Sequence, residues 1–151
     1  MGAVTYPQEA VERELNSHFV PCKLESAKHG DLARKFNVRW LPGLVVCDAE
    51  ERPANVQTSF LAPEDFLFEL SYGRALIAMG EKRYDDAEAL FREVGEKAPV
   101  ERAPEAWYWM GISNYRRSKD FADCLKAWAK IVERWPGSQW ARRVEYALPR
   151  A

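Results

Sequence analysis

The chain of 151 residues carries only three cysteines, Cys22, Cys47 and Cys124, and no two stand within three positions of each other. Without a CxxC pair, neither a zinc knuckle nor a dithiol redox centre can be assembled locally. Three reduced thiols serving as small core hydrophobes fit that spacing. The two histidines, His18 and His29, have no partner at ligand spacing. No phosphate loop, dinucleotide fingerprint, nucleophile elbow or triad spacing occurs. No run approaches the roughly 18 apolar residues of a membrane span. Met1 to Glu12 lacks the basic head and apolar stretch of a signal peptide. The net charge of -1 leaves no basic footprint for nucleic acid. These absences argue against nucleic-acid and membrane partners, predict no cofactor and no metal, and make the cytoplasm the default location.

What is present is apolar and aromatic. Hydrophobic residues make up 47% of the chain, with six Trp, six Tyr and seven Phe. A sizeable core with most rings buried is expected.

The first half mixes helix and strand signals. Pro7 to Asn16 (PQEAVERELN) places Val11 and Leu15 on one helical face. His18 to Glu25 (HFVPCKLE) reads as an edge strand. Asp31 is a candidate cap for a short helix through Phe36, with Leu32 and Phe36 inward. Gly43 to Asp48 (GLVVCD) is a continuous apolar run, as in a strand covered on both faces. Pro42, directly before it, suits a strand's first position, because proline cannot donate to a ladder. After the AEERP turn, Ala54 to Phe60 alternates and should pair antiparallel with the preceding strand. Pro63 fits a helix N1 position, with Glu64 and Asp65 in the first turn. Phe66, Leu67 and Leu70 form its apolar face.

From about Tyr72 the strand signals stop and a repeat appears. Tyr84 to Pro99 (YDDAEALFREVGEKAP) aligns without a gap on Phe121 to Pro136 (FADCLKAWAKIVERWP), at a period of 37. Ala87 matches Cys124, Phe91 matches Trp128, Val94 matches Ile131, and Pro99 matches Pro136. A small residue lets a paired helix approach, and the large residue four places on fills the gap beyond. Helical stretches precede each copy, at Leu70 to Glu81 and at Pro104 to Arg117. Ser138 caps a terminal helix that covers the end of the stack.

Residues 71–151 therefore resemble the tetratricopeptide repeat family, whose unit is a helical hairpin of roughly 34 residues. Trp107 to Gly111 (WYWMG) resembles the family's W-x2-L-G, with Met110 in place of Leu. In the first copy Arg74 and Ala75 replace Leu-Gly. Two repeats and a capping helix are implied, the extra residues falling in the VERAPE connection. The resemblance implies a partner-binding groove lined by the first helices of the hairpins: Tyr72, Leu76, Met79, Tyr108, Ile112, Tyr115 and Arg116. Trp107 and Trp128 fall to packing.

Residues 1–70 resemble the thioredoxin fold. Val38 to Gly43 (VRWLPG) falls on the V-x-x-x-P-T segment before the third strand of that fold, and the order helix, strand, helix, strand, strand, helix agrees with it. The resemblance implies a cis Leu41-Pro42 bond and a cis-proline rim of Leu41, Pro42 and Gly43. The family's first strand and its CxxC would precede Val4. A naturally reduced unit, a misplaced start and a trimmed chain all stay open.

The expected class is thus a truncated α/β thioredoxin-like half followed by all-α TPR-like hairpins. The functional reading is a redox-inactive thioredoxin-like unit joined to a groove for a protein or peptide partner. It resembles the thioredoxin-plus-repeat co-chaperones. The alternative is a thiol-disulfide oxidoreductase whose CxxC segment is missing from this chain. A cysteine-dependent enzyme is the third reading and the weakest: Cys47 sits in an apolar strand and Cys124 at a packing position, where burial raises a thiol's pKa. An unpaired strand edge in the first half predicts a homodimer, centred on Val4 to Val20 and the Pro42 rim.

Overall fold

The computed structural model describes residues 1–98 and 101–149. It divides into two compact units, Met1–Gly73 and Arg74–Ala151. Each is built around its own buried side chains.

In the first unit α1 (Glu9–His18) and α2 (Gly30–Lys35) precede a hairpin of β1 (Gly43–Cys47) and β2 (Pro53–Thr58). The strands pair antiparallel, Val45 opposite Val56 and Val46 opposite Asn55, with a bulge between Val46 and Cys47. Long α3 (Pro63–Gly80) follows, opening with Pro63 and the acids Glu64 and Asp65 as its dipole favours. Its side chains Phe66, Phe68, Leu70 and Tyr72 are buried, together with Val11 and Val46. A Cβ on Gly73 would lie 2.7 Å from Val46 Cγ1, so a bare glycine is what lets α3 approach β1 so closely. The buried Thr5 hydroxyl donates to the Leu61 carbonyl at 2.7 Å. Tyr6 meets Phe66 edge to face, ring centres 5.6 Å apart.

The structure corrects the sequence reading of this unit in several places. His18 to Glu25 is not a strand: α1 continues through His18 and Phe19 caps it, its N–H bonding the Leu15 carbonyl. Residues 20–25 lie exposed without regular structure, and Val20 is 98% exposed. Pro21, Lys23 and Glu25 interrupt the apolar pattern too often for a buried face. The sheet among the described residues has two strands, so no thioredoxin sheet is present. In β1 only Val46 is buried, because α3 covers one face alone. The cap of α2 is His29, without a side-chain bond, while Asp31 sits in the first turn. The division between the two units falls within α3, after Gly73. Not every ring is buried: Trp40 is 73% exposed, and Phe60 is exposed too. The Leu41-Pro42 bond, by contrast, is cis as expected.

In the second unit α4 (Tyr84–Lys97), α5 (Ala103–Ser118) and α6 (Phe121–Arg134) pack in succession, α4 on α5 and α5 on α6. The repeat governs this packing. Ala87, Phe91 and Val94 of α4 are buried, and so are their counterparts Cys124, Trp128 and Ile131 of α6. The turns repeat as well: Lys82 and Lys119, one period apart, each adopt the left-handed conformation at φ 63°. Asp120 caps α6 by accepting from Ala122 N. Ser138 caps the terminal α7 (Gln139–Val144) by accepting from Ala141 N, as its sequence position predicts, and a 3-10 turn (Glu145–Ala147) follows. Pro99, the expected match to Pro136, lies outside the described residues, as does Val100 of the VERAPE connection.

Candidate partner-binding site

Helix α5 is buried along Ala103, Ala106, Trp107, Met110, Gly111, Ser113 and Asn114. The residues between them form a second stripe, at i, i+4, i+7 and i+8 from Tyr108. On it Tyr108 and Ile112 are half-buried, Tyr115 is 41% exposed, and Arg116 is exposed. These four are the α5 members of the expected groove.

The rings of this stripe join others from α6 and α7. Tyr108 stacks on Trp128, centres 5.3 Å apart and planes 8° from parallel. It also meets Trp140 of α7, at 4.8 Å. Phe121 stands edge-on to both Trp128, at 5.7 Å, and Tyr115, at 5.9 Å. Arg143 lies over the Trp140 ring, its Cζ 4.4 Å from the centre. The indole N–H of Trp128 donates to the Tyr108 carbonyl at 3.2 Å, which fixes the stack against α5. The result is a continuous aromatic ladder with a packed middle and an exposed end at Tyr115 and Phe121.

The remaining predicted groove residues behave differently. Tyr72 and Met79 are buried, 4% and 7% exposed, while Leu76 is half-buried. The rim residues lie in the first unit: Leu41 is exposed, Pro42 half-buried, and Gly43 opens β1. Sequence reasoning missed Phe121, Trp140 and Arg143. The alignment of Phe121 on Tyr84 marked a recurrent ring at the second helix's first position and was the available signal.

Elsewhere on α5, a cavity of about 280 Å³ opens among α4, α5 and α6, lined in part by Arg92, Arg117, Lys126 and Lys130. Its cations are ion-paired. Arg117 reaches Asp85 at 2.6 Å and Glu88 at 2.8 Å, and these bonds raise its pKa further. Lys126 holds Asp123 at 2.7 Å and lowers that carboxyl's pKa. The buried Oδ1 of Asn114 and Nε1 of Trp107 have no hydrogen-bond partner among the described residues.

The cysteines remain apart in environment as in sequence. Cys22 is exposed, Cys47 half-buried and Cys124 buried. Burial raises the Cys47 thiol, helped by neighbouring Asp48, and pushes Cys124 up to about 11. No group of three His, Cys, Asp or Glu side chains among the described residues could hold a metal ion. No helix among them is long and apolar enough to cross a membrane.

Residues 105–138 match the tetratricopeptide repeat. The match takes in all but the first two residues of α5, the whole of α6 and the Ser138 cap of α7, so it covers the ladder rings of α5 and α6 and stops short of Trp140. Comparison with curated proteins and comparison with solved structures each returned no match. A tetratricopeptide repeat inside a mostly helical chain points to a protein partner in general, since such stacks present extended binding surfaces.

Proposed function

We propose that the chain is a non-catalytic protein-interaction module that holds a peptide segment on the α5 stripe. The carrying observation is that the matched repeat sets Tyr108, Ile112, Tyr115 and Arg116 on one stripe of α5, whose exposed end at Tyr115 and Arg116 continues into Phe121. Aromatic rings beside an arginine are the side chains that dominate interface energetics. An apolar segment carrying a carboxylate is the complement: rings for its side chains, Arg116 for its charge.

The finer reading is co-chaperone-like holding of unfolding clients by a thioredoxin-like unit without dithiol chemistry. It is supported by the large apolar side chains that face solvent in the first unit, Val20, Trp40, Leu41 and Phe60 among them. Exposed apolar surface of that kind marks sites of protein contact.

A photo-crosslinking residue at Tyr115 in the full chain tests the stripe in cells. Discrete protein adducts are expected there and not at Glu93, an exposed position on α4. Equal labelling at both positions, or none at Tyr115, overturns the assignment.

A further inference from the structure

The β-hairpin has one edge whose occupant can be argued from the strand itself. Ser59 N donates to the Pro42 carbonyl at 2.8 Å, and Asp48 N to the Arg52 carbonyl at 3.1 Å. Hydrogen-bonded and non-bonded pairs alternate along an antiparallel ladder. Counting from the Pro42–Ser59 pair through the observed register, Leu44 and Val46 direct their backbone groups at β2. Gly43 and Val45 therefore direct theirs to the opposite side, where they form no hydrogen bond with any described residue. A row of unpaired donors and acceptors on an apolar strand is a template for another strand.

We propose that this free edge of β1 pairs antiparallel with β1 of a second copy of the chain, joining two hairpins into a four-stranded sheet across a two-fold axis. Three features of the strand select a second copy. Gly-Leu-Val-Val-Cys is uncharged, so two copies align without like charges meeting. The segment before it carries Arg34 and Arg39, which form none of the ion pairs described, and Lys35, which holds Glu51 of its own chain at 2.8 Å; in the net-acidic turn after it, Asp48 and Glu50 share Arg52. Antiparallel pairing sets the basic segment of one copy beside the acidic turn of the other, and a two-fold repeats that match. Finally, Val46 faces α3 through Gly73, so Val45 and its exposed cross-strand neighbour Val56 lie on the other face. With Val45 at the centre of the pairing, the Val45–Val56 pairs of both copies adjoin into one apolar strip. The exposed Trp40 and Leu41 flank the new seam.

Sedimentation of the full chain at low micromolar concentration is expected to show a species at twice the 17.4 kDa chain mass. Val45→Lys, a charge on the edge strand, is expected to weaken association at least about tenfold with the far-UV circular dichroism unchanged. A chain that stays monomeric overturns the proposal, and so does a dimer that a folded Val45→Lys variant leaves intact. Should that variant fail to fold, amide exchange of the unmodified protein decides. Protection of the Val45 amide that grows with concentration supports the pairing; rapid exchange at Val45 within a dimer overturns it.

Discussion

Gly111 of α5 and Trp128 of α6 divide one volume between them: a Cβ on Gly111 would lie 2.8 Å from Cδ1 and Nε1 of the indole and 3.1 Å from the Cys124 carbonyl. One helix earlier, a Cβ on Gly95 would meet Trp107 at 2.7 Å. Each glycine is the hole and each tryptophan the plug, and the two pairs lock α4 to α5 and α5 to α6. The Trp128 plug is also a rung of the aromatic ladder. The contact that stabilises the repeat thereby sets the face it presents to a partner.

Gly111→Ala is expected to destabilise the second unit by about 1–3 kcal/mol through overpacking, although alanine is the better helix former by about 1 kcal/mol. Gly95→Ala should cost less. Trp128 is tied to the Tyr108 carbonyl and backed by main chain at Cys124, whereas the Trp107 indole N–H has no bond to lose. Gly80→Ala, at the open end of α3, should instead stabilise slightly, because nothing lies within 4 Å of the added methyl. Urea denaturation of the three variants checks the ranking.

In the first unit, Glu69 is a buried carboxylate that accepts from Asn55 Nδ2 at 2.7 Å and Gln57 Nε2 at 3.0 Å. Asn55→Asp replaces that donor with a second carboxylate. The loss expected at pH 7 is about 1–3 kcal/mol, the cost of removing the donor from a buried acceptor. Two carboxylates in one site raise the pKa of the pair. The destabilisation should therefore shrink as pH falls and the pair takes up a proton. Thermal melts of variant and parent between pH 7 and pH 4.5 measure the convergence; a constant gap would refute it.

The repeat was legible because a small-to-large spacing at a constant period reports packing directly: Ala87 and Cys124, Phe91 and Trp128, Val94 and Ile131 are all buried as the alignment implies. The hairpin was legible too, since a short apolar run, a charged turn and an alternating run leave few other arrangements. The segment after α1 failed for a local reason. Proline is tolerated at a strand edge, so Pro21 did not veto a strand, yet Phe19 and Val20 alone supply too little apolar surface to hold one. The groove residues on α3 were less legible. Phe66 to Met79 is apolar on nearly every side, so its pattern does not single out one exposed face. Tyr72 and Met79 are buried and Leu76 is half-buried.

The thiols give a graded reactivity. With a disulfide reagent at mildly alkaline pH, Cys22 is expected to react first, Cys47 more slowly, and Cys124 only as the second unit unfolds, following exposed, half-buried and buried. The raised pKa of Cys124 also has a stability consequence. Its neutral form is favoured in the folded chain, so its contribution is fully present below the unfolded value of 9.0 and is lost as pH rises toward about 11. Across that window the unfolded chain has released a proton that the folded chain still holds, and stability falls by about 1.4 kcal/mol per pH unit from this group. Cys124→Ser should flatten that decline. An unchanged slope would refute the assignment to Cys124.

Lys82 and Lys119 each turn the chain from one helix into the next with φ 63°. Lys119 caps α5 in this way, its N–H bonding the Tyr115 carbonyl at 2.8 Å. For an L-residue with a Cβ that conformation costs roughly 1–2 kcal/mol, and glycine avoids the cost. Glycine also makes the unfolded chain more flexible, which returns about 0.4–1 kcal/mol of the gain. Lys119→Gly is therefore expected to stabilise the second unit by about 0.5–1 kcal/mol, and Lys82→Gly to act in the same direction. Lys119→Val should be clearly destabilising, because a β-branched side chain crowds the left-handed turn. Both lysines are exposed and form none of the ion pairs described, so the charge itself contributes little. A Lys119→Gln control removes the charge and keeps the Cβ, and it should leave stability unchanged. If Lys119→Gln matched Lys119→Gly in the urea midpoint, the gain would belong to charge and not to the backbone.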